Sequence, residues 1–368
     1  MKNILLATTA IVAFAGAAFA EGHTGVSFAG DASLGYNDDI SDGFFWDSKI
    51  MTGFAAELDN GLTASASFDI NIASDDDADT VDFDDYTLSL TSETGGLYYG
   101  VTAFAAESLW QSAGDMAGDS FSEADNDIVL RGELTFGSVT AAVSTAIEDH
   151  AGTEADDDAT QLSVAAVADL GTFTVGFAYQ EKSGLFGGAA AVAGDYNMDE
   201  VMGVFASTAV AGFDVTLAYA EETNSGQSSV GLEVGYTMGD ITLGAYYVSE
   251  DGNVADESYG VSVGYASGPI AVAAYFNTDL NSDEFAVQGS YDMGNGLVMT
   301  AGTIDGDSTT DNDFAAFIVA DYDLGGGASV MASFADANNV GTKTSDDIDT
   351  FGGYELKHGT TVELSFAF

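Results

Sequence analysis

Residues 62–72 alternate without a break between apolar and polar side chains. Leu62, Ala64, Ala66, Phe68, Ile70 and Ile72 fall on one side, and Thr63, Ser65, Ser67, Asp69 and Asn71 on the other. Successive side chains of a strand point to opposite faces, so this run predicts one greasy and one wet face. The pattern recurs. Val230, Leu232, Val234, Tyr236 and Met238 oppose Gly231, Glu233, Gly235 and Thr237. Phe285, Val287, Gly289, Tyr291 and Met293 do the same against Glu284, Ala286, Gln288, Ser290 and Asp292, and Val362, Leu364, Phe366 and Phe368 against Thr361, Glu363, Ser365 and Ala367.

Turns punctuate these runs. The chain has 45 glycines and one proline in 368 residues, a pairing that suits strands joined by tight turns. Nine Gly-containing turns are legible, centred near Gly61, Gly95, Gly137, Gly171, Gly212, Gly239, Gly268, Gly296 and Gly326. Pro269 sits in one of them, where it interrupts no ladder hydrogen bond. Nine turns join 18 strands, and a first strand near 24–36 and a last near 360–368 raise the number to 20. The connections between these hairpins are longer and acidic, as at 74–82, 150–158, 183–197, 305–313 and 336–349. Short turns at one end and long polar loops at the other are the asymmetry of an outer-membrane barrel.

Alternation of this kind also suits a soluble sandwich, whose apolar faces meet in a core. The barrel is favoured by strands of about ten residues, the length that crosses a bilayer at a tilt. Ala and Gly interleaved with Phe, Tyr and Leu on the apolar side suit a smooth lipid-facing band. The aromatic Phe368 at the end of an alternating strand points the same way. Beyond residue 20 no run of 18 apolar residues occurs, so no helix is expected to span a bilayer.

Charge narrows the function. Sixty Asp or Glu stand against six Lys or Arg, a formal charge of −54, which excludes binding of a nucleic-acid polyanion by phosphate neutralisation. No cysteine is present, so disulfides, thiolate metal sites and thiol catalysis are excluded. Residues 1–20 read as a cleaved secretory signal, with Lys2, an apolar run over 4–14 and the small-x-small site Ala18-Phe19-Ala20. Residues 21–368 would then be a single barrel domain.

Several short stretches carry a family resemblance. They are Asp31-Ala32-Ser33-Leu34-Gly35-Tyr36, Ser290-Tyr291-Asp292-Met293-Gly294, and Ala320-Asp321-Tyr322-Asp323-Leu324-Gly325-Gly326-Gly327-Ala328-Ser329-Val330. With the signal and the hairpin rhythm over the whole mature chain, they resemble a general porin of the Gram-negative outer membrane, of the alphaproteobacterial type. The resemblance implies an all-β transmembrane antiparallel up-and-down barrel of 16 strands, four fewer than the turns give, with extra hairpins between about Ser249 and Thr309. It implies a homotrimer set in outer-membrane lipid and lipopolysaccharide, each pore narrowed by an inward-folded third loop, and passive diffusion of small hydrophilic solutes. The terminal stretch ending in Phe366 and Phe368 resembles the signal read by the barrel-assembly machinery.

The expected constriction loop is 104–126, carrying Glu107, Asp115, Asp119, Glu123 and Asp125, with Trp110, Met116 and Phe121 able to pack it on the wall. Parity places wall residues: Ile128, Leu130, Leu134 and Phe136 toward lipid put Asp127, Arg131 and Glu133 in the lumen. Trp46, Ile50 and Phe54 likewise put Asp47, Lys49 and Glu57 there. Lys49 and Arg131 are the expected remnants of the family's basic wall, and pairing of each with a neighbouring carboxylate is the alternative. A narrow channel lined by one sign of charge concentrates the opposite ion, so a cation preference is expected. The acidic runs 75–79 and 154–158 could collect Ca²⁺ or Mg²⁺ weakly, but neither has EF-hand spacing and no other cofactor is implied. A surface adhesin or structural barrel is the alternative function. Catalysis is not expected: Gly260-Val261-Ser262-Val263-Gly264 matches a hydrolase pattern but reads as strand, and the three histidines lack metal-ligand spacing.

Overall fold

The computed structural model describes residues 24–39, 43–74, 81–123, 128–148, 160–183, 197, 199–252, 257–279, 282–305, 315–337, 354 and 356–368. The expected signal segment 1–20, Asp125, Asp127 and the acidic runs 75–79 and 154–158 lie outside these residues. Among the described residues the secondary structure is twenty strands and one short helix.

The strands follow the expected rhythm. β1 (Thr24–Asn37) and β2 (Phe44–Glu57) are followed by β3 (Thr63–Ser74), β4 (Asp82–Ser92) and β5 (Gly95–Val101). After the helix α1 (Ala105–Leu109) come β6 (Ile128–Phe136), β7 (Val139–Glu148), β8 (Thr160–Asp169) and β9 (Phe173–Gln180). Then follow β10 (Val201–Val210), β11 (Phe213–Glu222), β12 (Gln227–Met238), β13 (Ile241–Asp251), β14 (Glu257–Ser267) and β15 (Ile270–Asp279). The series ends with β16 (Ser282–Gly294), β17 (Leu297–Asp305), β18 (Ala315–Gly325), β19 (Ala328–Ala337) and β20 (Gly359–Ala367). Each strand pairs antiparallel with its neighbours in sequence, and β20 pairs with β1 from Asp31↔Ala367 to Asn37↔Thr361. One closed sheet of twenty strands results, which leaves no unpaired edge.

The turn count is therefore the right guide, and the 16 strands implied by resemblance are too few. Each of the nine short turns connects two full strands, so the hairpins of the later chain are members of the sheet and the barrel is wider. The turn at 211–212 shows the local chemistry. Ala211 and Gly212 have φ of 53° and 86°, the left-handed pair of a two-residue hairpin turn whose twist matches that of the flanking strands.

The two faces differ as the alternation requires. Phe136 is 82% and Leu134 59% exposed, and Val261, Val263, Ile318 and Phe334 are exposed on the same face. Exposed aromatics collect near both ends of this face. Tyr265, Tyr291 and Tyr322 lie by the tight turns, and Tyr36, Trp46, Tyr247 and Tyr259 toward the long connections. Tyr259 and Tyr265 on β14 are thus separated by roughly 20 Å of strand, an apolar band between two aromatic girdles. The other face carries Asp31, Asp47, Lys49 and Asp69 on β1–β3, and mostly Ser, Thr, Gly and Ala on β7–β13. Small residues thus serve both faces.

Candidate pore constriction

The segment 104–123, between β5 and β6, packs on the polar face of β7–β13. It begins with α1, where the backbone N–H of Phe104 donates to Glu107 Oε2 at 2.8 Å, a side chain closing the first turn. Phe104, Ala105 and Ala106 are fully buried. Wall hydroxyls accept from the backbone at the start of α1: Ala105 N–H donates to Ser144 Oγ and Ala106 N–H to Ser163 Oγ, each at 2.8 Å.

Farther along, the segment reaches strand after strand. Gln111 Nε2 donates to Thr216 Oγ1 of β11 at 3.2 Å, and Gly118 N–H to Ser229 Oγ of β12 at 2.7 Å. Glu233 accepts from Gly114 N–H at 3.2 Å, and Glu250 of β13 from Ala117 N–H at 3.0 Å. Glu250, itself buried, also takes the Ser229 hydroxyl. Ser122 N–H donates to Gln180 Oε1 of β9 at 2.7 Å. A coil so placed must satisfy its own backbone, and the wall supplies the partners. Trp110 and Met116 pack against Phe205, Ala218, Tyr246 and Val248, and Phe121 lies 5.4 Å from the Trp110 ring.

Close approach requires absent side chains. A Cβ at Gly203 would lie 2.4 Å from the Trp110 ring, and one at Gly231 would lie 2.1 Å from the Ala113 carbonyl oxygen. Substitution at either position has to displace the segment.

The expected site residues divide into groups. Glu107 caps α1, while Asp115 and Glu123 are exposed. Asp119 accepts from Trp110 Nε1 at 2.9 Å. Burial raises the Asp119 carboxyl from 3.8 to about 6, against the Trp110 hydrogen bond that holds it down. On the wall, Lys49 Nζ pairs with Asp69 at 2.7 Å and stands opposite Asp31 in the β1–β2 register, with Asp47 two residues away on the same face. Glu57 is at the turn end of β2. Arg131 holds the base of the segment: its Nη1 donates to the Ala103 carbonyl at 3.0 Å and its guanidinium sits 4.8 Å from the Tyr98 ring centre. Glu133 follows it on the same face. Thus Lys49 has a carboxylate partner and Arg131 a structural one.

Sequence reading missed Ser144, Ser163, Ser229, Glu233 and Glu250 as anchors. The available signal was the run of small and hydroxyl residues at wet-face positions of β7–β13. At the barrel seam, Phe366 and Phe368 are exposed on the apolar face, and Phe368 exchanges backbone hydrogen bonds with Gly30 at 2.7 and 2.8 Å. The Gly-x-Ser-x-Gly stretch lies inside β14, without the strand-to-helix elbow that a nucleophile needs. Among the described residues no three His, Asp or Glu side chains gather as a metal site.

A closed antiparallel barrel with an apolar outer band and a polar face bearing a packed segment defines an outer-membrane β-barrel. The Gram-negative porin family model matches residues 7–283, and the chain belongs to that family. Two engineered mutants of the Rh. blastica porin share its fold. One is 18% identical with a TM-score of 0.51, over 72% of this chain and 98% of that one. The other is also 18% identical, with the same coverage and a TM-score of 0.50. No curated protein sequence matches the chain. The protein is a multi-pass outer-membrane porin, whose apolar face meets lipid and whose polar face bounds the lumen.

Proposed function

We propose that the protein is a cation-preferring passive diffusion pore for small hydrophilic solutes, narrowed by the segment 104–123. The observation that carries this is the seat of that segment, a stretch of twenty residues anchored by hydrogen bonds to the polar face of strands from β7 to β13. Asp115, Asp119 and Glu123 ride on it, while Asp31, Asp47 and Asp69 outnumber Lys49 on the wall of β1–β3. Solutes passing between meet an excess of carboxylates in a space of lowered dielectric, which enriches cations. Glu57, Arg131 and Glu133 line the route as wall residues. Trimer formation, recognition of Phe366 and Phe368 by the assembly machinery and contact with lipopolysaccharide complete this reading.

The test is a zero-current potential in a planar bilayer under a KCl gradient. The expected sign is that of K⁺ preference, diminishing as salt rises because screening shortens to about 3 Å at 1 M. A Cl⁻-selective potential would refute the preference. Passage without ion selectivity would leave a pore but remove the electrostatic mechanism.

A further inference from the structure

A second stretch of chain returns to the polar face just before β20. Leu356 is fully buried there, clustered with Phe317 and Val319 of β18 and Ala335 of β19. Ile318 and Phe334, the intervening residues of these strands, are exposed on the apolar side, so the cluster lies on the polar side. A leucine buried on a wetted wall means that the chain has folded onto the wall. Tyr354 packs on the same cluster, and its hydroxyl donates to Asp321 at 3.4 Å. Burial, and then Asp321, raises the Tyr354 phenol.

The stretch is held on its other side as well. Lys357 Nζ sits 4.8 Å from the ring centre of Phe45 on β2, a cation–π contact. Phe45 lies across Gly35 of β1, where a Cβ would be 2.0 Å from the ring. Asn37 donates to the His358 carbonyl at 2.8 Å, and His358 Nδ1 is 2.9 Å from Asp39. The contacts therefore run from β18 through β19 and β1 to β2, centred on β20. The first segment spans β7–β13, centred on β10, and in a ring of twenty strands β10 and β20 are ten apart either way.

We propose that Tyr354 and residues 356–358 belong to a second inward strap, narrowing the pore from the wall opposite 104–123 and setting Lys357 across the lumen from the acids of the first segment. The strap makes Lys357 a specificity-determining residue that tempers the cation preference. This rests on the reading of the lumen as a conducting pore.

The absence of native cysteine makes the test direct. Full-length Lys357→Cys in a planar bilayer, treated with a sulfonate-bearing methanethiosulfonate reagent, should show a stepwise fall in single-channel conductance and a shift of the zero-current potential toward cations. Complete labelling by mass with both unchanged would overturn the proposal. Because that substitution also removes the Phe45 contact, Leu356→Cys is paired with Val319→Cys and treated with a short thiol cross-linker. Cross-linking of the folded protein is expected; failure to cross-link would overturn the strap. If the wild-type protein conducts no ions, the pore reading fails, while the cross-linking result still decides where the strap lies.

Discussion

The polar faces of β1–β3 and β7–β13 obey the same alternation and yet carry different residues. On β1–β3 the face holds Asp31, Asp47, Lys49 and Asp69, with Lys49 and Asp69 paired at 2.7 Å. On β7–β13 it holds Ala142, Ser144, Ser163, Ala165, Gly203, Ala218, Ser229 and Gly231. The difference follows from what each face meets. Side chains that face water can be long and charged, whereas beneath a packed coil most are small enough to admit it, and the longer ones, such as Gln180, Glu233 and Glu250, serve as acceptors for its backbone. Period two decides the face of a residue, and the third layer decides its size.

The sharpest way to break this comparison uses two glycines four residues apart on the polar face of β12. A Cβ at Gly231 would strike the Ala113 carbonyl, but one at Gly235 has Asp214 Cβ at 3.8 Å, an ordinary contact. Gly231→Leu is expected to cost about 1–3 kcal/mol by overpacking and to raise single-channel conductance by unseating the segment. Gly235→Leu should leave folding intact and the segment seated. Heat-modifiability on gels with conductance in bilayers checks both, and equal effects would deny the special seat.

Acid should act on the covered side before the open one. Asp119 has its carboxyl raised to about 6 by burial, so the folded protein binds this proton more tightly than the unfolded chain does. Its contribution to stability is fully present below 3.8 and is lost as pH rises through about 6. Between pH 7 and 5 the segment should therefore seat more firmly while the pore loses one carboxylate of cation preference. Zero-current potentials recorded across that range should show the loss, and Asp119→Asn should abolish it.

On the open side, Lys49→Ala leaves Asp31 and Asp69 without their shared cation. The expected result is stronger K⁺ preference with a stability loss below about 1 kcal/mol, since a partly exposed ion pair contributes little. Ion selectivity together with guanidinium unfolding in detergent measures the two. The smallest effect is expected far from both faces, at the Ala211–Gly212 turn. Ala211→Gly relieves a left-handed alanine worth about 1–2 kcal/mol but adds about 0.5–1 kcal/mol of unfolded-chain freedom, leaving a gain of about 0–1.5 kcal/mol that shows in thermal or denaturant unfolding and not in the current.

Much of the wall was legible in the sequence because its signals are local. Alternation is read within one strand and a glycine turn within four residues. The strands expected near 24–36 and 360–368 accordingly appear as Thr24–Asn37 and Gly359–Ala367. The strand number followed from turns in this chain, whereas resemblance supplied the family's number. The seat of 104–123 was not legible, because it depends on Gly118 meeting Ser229 and Ala117 meeting Glu250, more than a hundred residues away. Alternation says that Ser229 faces inward without saying what covers it. Arg131 shows the same limit: parity put it on the wet face, and only the fold turns its guanidinium toward the Ala103 carbonyl. Leu356 and Lys357 went unread because they follow an acidic connection, and a single leucine there carries no period.

The assignment of the two faces to lipid and lumen is measured most directly on β14. Single cysteines placed in turn from Val261 to Tyr265 of the otherwise cysteine-free protein, reconstituted in lipid, are exposed to a small charged thiol reagent. Ser262 and Gly264, partly open on the polar face, should react, with Ser262 also altering the current, while Val261, Val263 and Tyr265 stay protected in the bilayer. Reaction at the odd-numbered positions with protection of the even ones, or no alternation at all, would contradict it.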